Sequence, residues 1–182
     1  PASGLSTIEF PVMGRDMEVY SASSAPFFTS PTAATTSGIF AAVNGLIRIG
    51  GVNQGVVTGV TINLDMNPES NAVVGQNFVP EIHLGRANVT GQLTAFFQDA
   101  TILTYFTDET EVEILLYLTT TTAVDTPALT IYLPRVKFGG ADIANSGEGP
   151  QEITLPYQAL LYNGSGVGIA ATTIQIHDTQ GV

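Results

Sequence analysis

The two histidines, His83 and His177, are the first place to look for metal or acid–base chemistry. They lie far apart in the chain, and neither has a ligand-type residue four positions on. Each reads as an ordinary structural or solvated imidazole. Ser165 sits in the stretch NGSGVG at residues 163–168, superficially like a nucleophile elbow. The order there is G-S-G rather than G-x-S-x-G, and the surrounding residues read as a turn between strands. No Lys follows those glycines, so they form no phosphate loop. Glu109, Glu111 and Glu113 are the densest carboxylates. A spacing of two puts Glu111 and Glu113 on one strand face, where like charges indicate a solvated surface rather than a catalytic dyad. Asp142, Asn145 and Glu148 fall in GGADIANSGEG, which lacks calcium-loop spacing and reads as a loop between strands. Asn88-Val89-Thr90 and Asn163-Gly164-Ser165 match the glycosylation triplet and, with no secretory signal in view, read as chance matches. No convergent polar set emerges. The expectation is a binding or structural protein with no catalytic residue, no metal site and no cofactor.

Composition narrows the partners. The 182 residues carry 5 Lys plus Arg against 16 Asp plus Glu, a formal net charge of −11. Five cations cannot form a phosphate-neutralising stripe, so specific nucleic-acid binding is excluded, and an anionic membrane surface fails on the same count. Hydrophobic residues make up 44% of the chain and the mean hydropathy is +0.26, which excludes a disordered acidic tail. There is no Cys, hence no disulfide scaffold, zinc ribbon or thiol nucleophile. Apolar runs of about five residues fall far below the ~20 of a membrane helix. No basic head and apolar block is visible as a signal peptide, and a chain that starts at Pro1 rather than Met is expected to be either processed or a fragment of something longer.

The elements that would position these residues are short and mostly strands. Leu5–Phe10, residues 44–51, 55–65, 87–97, 111–118, 129–133, 136–138, 152–162 and 172–177 alternate in the period of two that marks half-buried strands. One helix is expected over Ala100–Phe106, with Asp99 as its N-cap and Ile102, Leu103 and Phe106 facing a sheet. Residues 66–86 lose all periodicity and read as a long loop. Loops beyond ~12–15 residues in a compact domain are usually functional or mobile. Its Val73, Val74, Phe78 and Ile82 are more apolar than a solvent-only loop keeps, so it is expected to project and touch a neighbouring subunit. Residues 21–38 are small, polar and proline-bearing, an extended connector whose Phe27 and Phe28 dock on the domain or on a partner subunit. The resulting expectation is an all-β sandwich or barrel with one short flanking helix. It divides into an N-terminal strand and connector at 1–38 and a β-sandwich domain at 39–182.

The succession NGLIRIGG, VVTGVTINLDMN and AVVGQNFVPEIHLGRANVTGQLTAFFQDATILTYFTDETEVEILLYL resembles tail tube proteins, the major tail proteins of long-tailed, non-contractile bacteriophages. The matching positions are Thr58–Asp65, Val73–Gly75, Pro80–Arg86, Val89–Phe97 and Asp99, with Leu133–Ala141 and Ile153–Tyr162 further on. The resemblance covers most of residues 40–177, and the order of the motifs is more specific than any one of them. It implies a β-sandwich with one helix, closed by subunit pairing into hexameric or pseudo-hexameric rings. Those rings stack, with other tail proteins, into a tube through which DNA passes. It implies no cofactor, no covalent chemistry and a place in the virion tail after assembly in the bacterial cytoplasm.

The polar strand faces Thr61/Asn63/Asp65 and Thr90/Gln92/Thr94 suit the lining of such a bore, or equally an ordinary solvent-facing sheet side. An acidic or neutral wall does not adhere to duplex DNA, although screening confines the repulsion to roughly 8 Å at physiological salt. The competing reading is a monomeric β-sandwich binding module, for carbohydrate for instance, which calls for exposed stacking aromatics. This chain has no Trp. A type VI secretion tube-like protein or a tail terminator is a third reading that shares the fold.

Overall fold

The computed structural model describes residues 4–17, 19, 33, 38–98, 101–144, 149–164 and 171–179. Its elements are β1 (Leu46–Ile49), β2 (Val52–Asn53), β3 (Val57–Asp65), β4 (Glu69–Ser70), β5 (Ile82–His83), β6 (Asn88–Phe96), α1 (Thr101–Thr107), β7 (Val112–Thr119), β8 (Ala128–Phe138), β9 (Asp142–Ala144), β10 (Glu152–Ala159) and β11 (Gln175–Asp178). The chain separates into two compact units. One comprises 1–7, 38–65 and 88–182, and the other 8–37 and 66–87.

The first unit is an antiparallel sheet of nine strands in the order β2-β1-β7-β8-β10-β6-β3, with β11 added to β8 and β9 to β10. Strict alternation fixes which face is dry. On β10 the buried residues are Ile153, Leu155, Tyr157 and Ala159, and on β6 Val89, Leu93 and Ala95. They share one apolar cluster with Ile49 of β1, Ile114 of β7 and Leu133, Val136 and Phe138 of β8, so both halves of the sheet close over the same core as a sandwich. Each such aliphatic side chain removed from water contributes about 1.5–3 kcal/mol. The helix α1 inserts Ile102 into this cluster, and its Tyr105 ring stacks on Phe138 at 6.5 Å between centroids. Asp99 lies outside the described residues, so its capping role stays an expectation.

Two turns and one bulge set the register. Gly50 and Gly51 both have positive φ, +57° and +79°, and join Ile49 to Val52. That two-residue reversal is open to glycine and strained for residues with a Cβ. The sequence pattern split residues 129–138 into two strands at Pro134. The structure has one strand, because Pro134 falls in a bulge: Ile114 opposes Leu133 while Val112 opposes Val136, two residues on β8 facing one on β7. A proline in a bulge forfeits no ladder bond. β8 is thereby laddered to β7 from Ala128 to Val136, and on its other edge to β11 at residues 129–132 and to β10 at 136–138.

Leu5–Phe10 is not a strand. Leu5 makes an isolated bridge with Ala41, supported by Ser6 N donating to Phe40 O at 3.1 Å, and the residues after it find no ladder among the described residues. Within the second unit, residues 66–86 contain the pairing β4–β5, with Glu69 opposite His83 and Ser70 opposite Ile82. The N-terminal segment joins it: Arg15 Nε donates to Val79 O at 2.9 Å, Val79 N donates to Arg15 O at 3.2 Å, and the guanidinium lies 5.8 Å from the Phe78 ring centroid. Most of the expected connector at 21–38, including Phe27 and Phe28, lies outside the described residues.

Candidate functional site

Thr61, Asn63, Asp65, Thr90, Gln92 and Thr94 come together on one face. In the β3–β6 register Thr61 faces Gln92, Asn63 faces Thr90, and Asp65 faces Asn88, while Thr94 faces Gly59 in the last rung before a bulge at Val57/Gly59. In the β6–β10 register Thr94 faces Thr154, Gln92 faces Pro156, and Thr90 faces Gln158. Side chains in register on antiparallel neighbours share a face, so three strands present contiguous rungs that are polar apart from Pro156. The opposite face of the same rungs is Val60–Leu93–Leu155, Ile62–Gly91–Tyr157 and Leu64–Val89–Ala159, which is the core side. All six side chains are exposed or half-buried. The Thr61 hydroxyl accepts from Gln92 N at 3.1 Å, and the Thr58 hydroxyl donates to Thr94 O at 3.2 Å. Gln158 Nε2 donates to Asn88 Oδ1 at 3.4 Å.

Charge on this face is confined to its margins. Asp65 stands at one end, and Glu152 and Asp142 at the other, where Asp142 pairs with Thr154. Lys137 extends the Asn63–Thr90–Gln158 rung, and its Nζ donates to Glu109 Oε2 at 2.7 Å. The centre is hydroxyl and amide apart from Pro156 opposite Gln92, and Phe96 lies opposite Glu152 at the acidic end. The residues that strand-by-strand reading of the sequence missed, Asn88, Thr154, Pro156 and Gln158, come from β10 and the start of β6. Their signal was present in the alternation of EITLPYQA at residues 152–159, but the pairing of β10 with β6 is non-local and no spacing announces it.

The face is held in place by Tyr157. Its ring lies across Gly91, where an added Cβ would meet Tyr157 and the Thr61 carbonyl oxygen, and its hydroxyl donates to Thr61 O at 2.9 Å. Burial pushes the Tyr157 phenol pKa up. Phe138 packs edge-on to it at 6.4 Å.

The carboxylate group expected to be merely solvated is engaged. Arg135 grips Glu111 in a two-pronged pair, Nε to Oε2 at 2.6 Å and Nη2 to Oε1 at 2.7 Å. These bonds hold the Glu111 carboxyl below its ordinary value, as Lys137 does for Glu109. Glu113 accepts from the Tyr132 hydroxyl at 2.6 Å, and burial followed by this hydrogen bond raises the Tyr132 pKa to about 12. Glu111, Glu113, Arg135 and Tyr105 line an open depression of about 690 Å³. Glu111 is gripped by Arg135 and Glu113 accepts from Tyr132, so these three polar side chains are engaged with partners rather than aimed into the depression as a set. His83 and His177 are both exposed, on β5 and β11. Among the described residues no three His, Asp or Glu side chains gather as metal ligands. No described helix is long and apolar enough to cross a membrane.

In the second unit Val73 and Val74 are exposed near the tip of the β4–β5 excursion, Phe78 is half-buried under Arg15, and Ile82 is half-buried on β5. Ser165, Gly166, Gly168, Asn145 and Glu148 lie outside the described residues, while Gly164 is described and has a positive φ of +69°.

The profile of the family described as phage tail tube protein matches residues 1–159. Comparison with curated protein sequences gives no match. Among solved structures, the sheath/tube terminator of an extracellular contractile injection system (PVC) superposes with TM-score 0.52 at 11% identity. That match covers 82% of this chain and 99% of the other. The sheath–tube complex of the same type of system gives 0.51 at 12% identity, covering 88% and 99%. The SPP1 tail tube gives 0.47 at 12% identity over 63% of this chain and 71% of that one.

Proposed function

The chain belongs to the phage tail tube protein family, structural components of virion tails, and from that premise we propose that it closes into stacked rings whose bore is lined by the β3–β6–β10 polar face. The observation that carries this reading is the register: six polar residues from two separate sequence motifs fall on contiguous rungs of one face, backed by a dry one. A hydroxyl-and-amide wall with acidic margins offers a passing polyanion no cationic well to settle in. The rings are hexameric or pseudo-hexameric, residues 39–182 form them, and residues 1–38 act as an arm. Val73, Val74, Phe78 and Ile82, together with Phe27 and Phe28, meet neighbouring copies. DNA is delivered to the host through the tube without specific binding, and assembly takes place in the bacterial cytoplasm.

Electron microscopy of the concentrated protein tests this directly. Rings or tubes are expected, with density for the loop at 66–86 against the next copy. A dispersed monomer at every concentration, or that loop free in solvent in an assembled tube, would overturn the respective part of the reading.

A further inference from the structure

Resting on the ring assembly proposed above, we infer that Thr7–Met13 is a donor strand that adds to the open edge of β3 in a second copy of this chain. The two halves of this contact are visible separately in one molecule. Ile8, Phe10 and Val12 alternate with Thr7, Glu9 and Pro11 in sequence and are 62%, 80% and 90% exposed. Period-two apolar residues are a strand pattern, and here it has no ladder among the described residues. The acceptor is β3, nine residues long and last in the sheet order, with only β6 paired to it among the described residues. Its apolar side is unfinished: Leu93 and Val89 on β6 are fully buried, whereas Leu64 on β3 remains 46% exposed. A long uncovered edge of this kind is a template for another strand.

The patterns fit face to face. With Ile8, Phe10 and Val12 continuing the Val60–Ile62–Leu64 side, Thr7, Glu9 and Pro11 continue the Thr61–Asn63–Asp65 side. Backbone groups of alternate residues point to alternate edges of a strand, so Pro11 can be placed where its missing N–H faces away from β3. Ile8, Phe10 and Val12 then supply the ladder bonds.

The chain's own connectivity favours a second copy over self-pairing. The arm is rooted by Ser6 on Phe40, and Ala42 N donates back to Gly4 O at 3.3 Å, just ahead of β1. In the sheet order β1 sits beside the β2 edge and is separated from β3 by β7, β8, β10 and β6. Donor and acceptor are therefore different surfaces, and a contact between unlike surfaces is the head-to-tail kind that closes rings.

The chain has no cysteine, so a paired-cysteine test is free of background. Glu9→Cys is combined with Thr61→Cys in one variant and with Asn63→Cys in another, oxidised at assembly concentration, and scored by non-reducing electrophoresis and electron microscopy. Interchain disulfides in either variant support the donor strand, whether the product is a ring or a shorter oligomer. Rings or tubes without interchain disulfides in both variants overturn the donor strand and leave the tube reading intact. Neither oligomers nor disulfides overturn both. Phe10→Asp provides the second measurement: the exposed site leaves monomer melting unchanged, while the concentration needed for assembly rises about tenfold. An unchanged threshold counts against the proposal.

Discussion

A side chain at position 91 would collide with the Tyr157 ring and the Thr61 carbonyl oxygen, two groups that fix where the polar face sits. Neither is the free end of a flexible chain, since the phenol is itself buried and bonded to that carbonyl. Gly91→Ala is therefore expected to destabilise the fold by about 3 kcal/mol, and Tyr157→Phe by about 1 kcal/mol, both read from denaturant unfolding. The paired carboxylates behave differently. Glu109 and Glu111 titrate below their ordinary 4.5 because Lys137 and Arg135 bond their ionised forms. A lowered folded-state value means that the stabilisation is present above 4.5 and disappears as pH falls through the folded value. The melting temperature of a Glu109→Gln/Glu111→Gln variant should lie below that of the parent at neutral pH and converge with it in acid. Equal melting at neutral pH would mean that the pairs contribute nothing.

Alternation in the sequence located most strands of the sheet, with ends displaced by a few residues, because burial of one face imposes a period of two on any strand. It failed in two informative places. Leu5–Phe10 carries the strand pattern without a ladder in this chain, and no pattern in one sequence says whose edge a strand will meet. Pro134 looked like a break because a proline normally costs a ladder bond, and the compensating bulge depends on Glu113 of a different strand. The candidate face was half legible. Its β3 and β6 residues follow from local alternation, whereas the β10 rungs require a pairing separated by some sixty residues of chain. At this scale Arg15 also makes a prediction. It binds Val79 through both side chain and backbone, so Arg15→Ala should retain the fold of the β3–β6–β10 sheet. Hydrogen exchange should speed up at residues 78–83 and stay unchanged at 88–96. Uniform exchange across both segments would show that the clamp does not restrain the excursion.

At the scale of the molecule, four of the five cations are occupied. Arg135 and Lys137 are tied to glutamates, Arg48 donates to Gly51 O at 2.8 Å, and Arg15 holds Val79. With a net charge of −11, the protein should give no measurable duplex-DNA binding at physiological salt in a fluorescence-anisotropy titration. Micromolar affinity would contradict the proposed conduit. Placing Lys at Thr90, Gln92 and Thr94 should leave assembly intact, since these side chains point away from the core, and should make DNA adhere and ejection slow or stall. Unimpaired ejection from particles carrying that variant would remove the face from the bore.

β8 has a mechanical consequence. It is laddered to β7 on one edge and to β11 and then β10 on the other, so it belongs to both halves of the sandwich at once. A load drawing those halves apart along the strand direction strains many of its bonds together, in shear, where a hairpin at an edge would unzip bond by bond. The halves thus yield as one cooperative body, and the sheet resists tearing without any covalent staple.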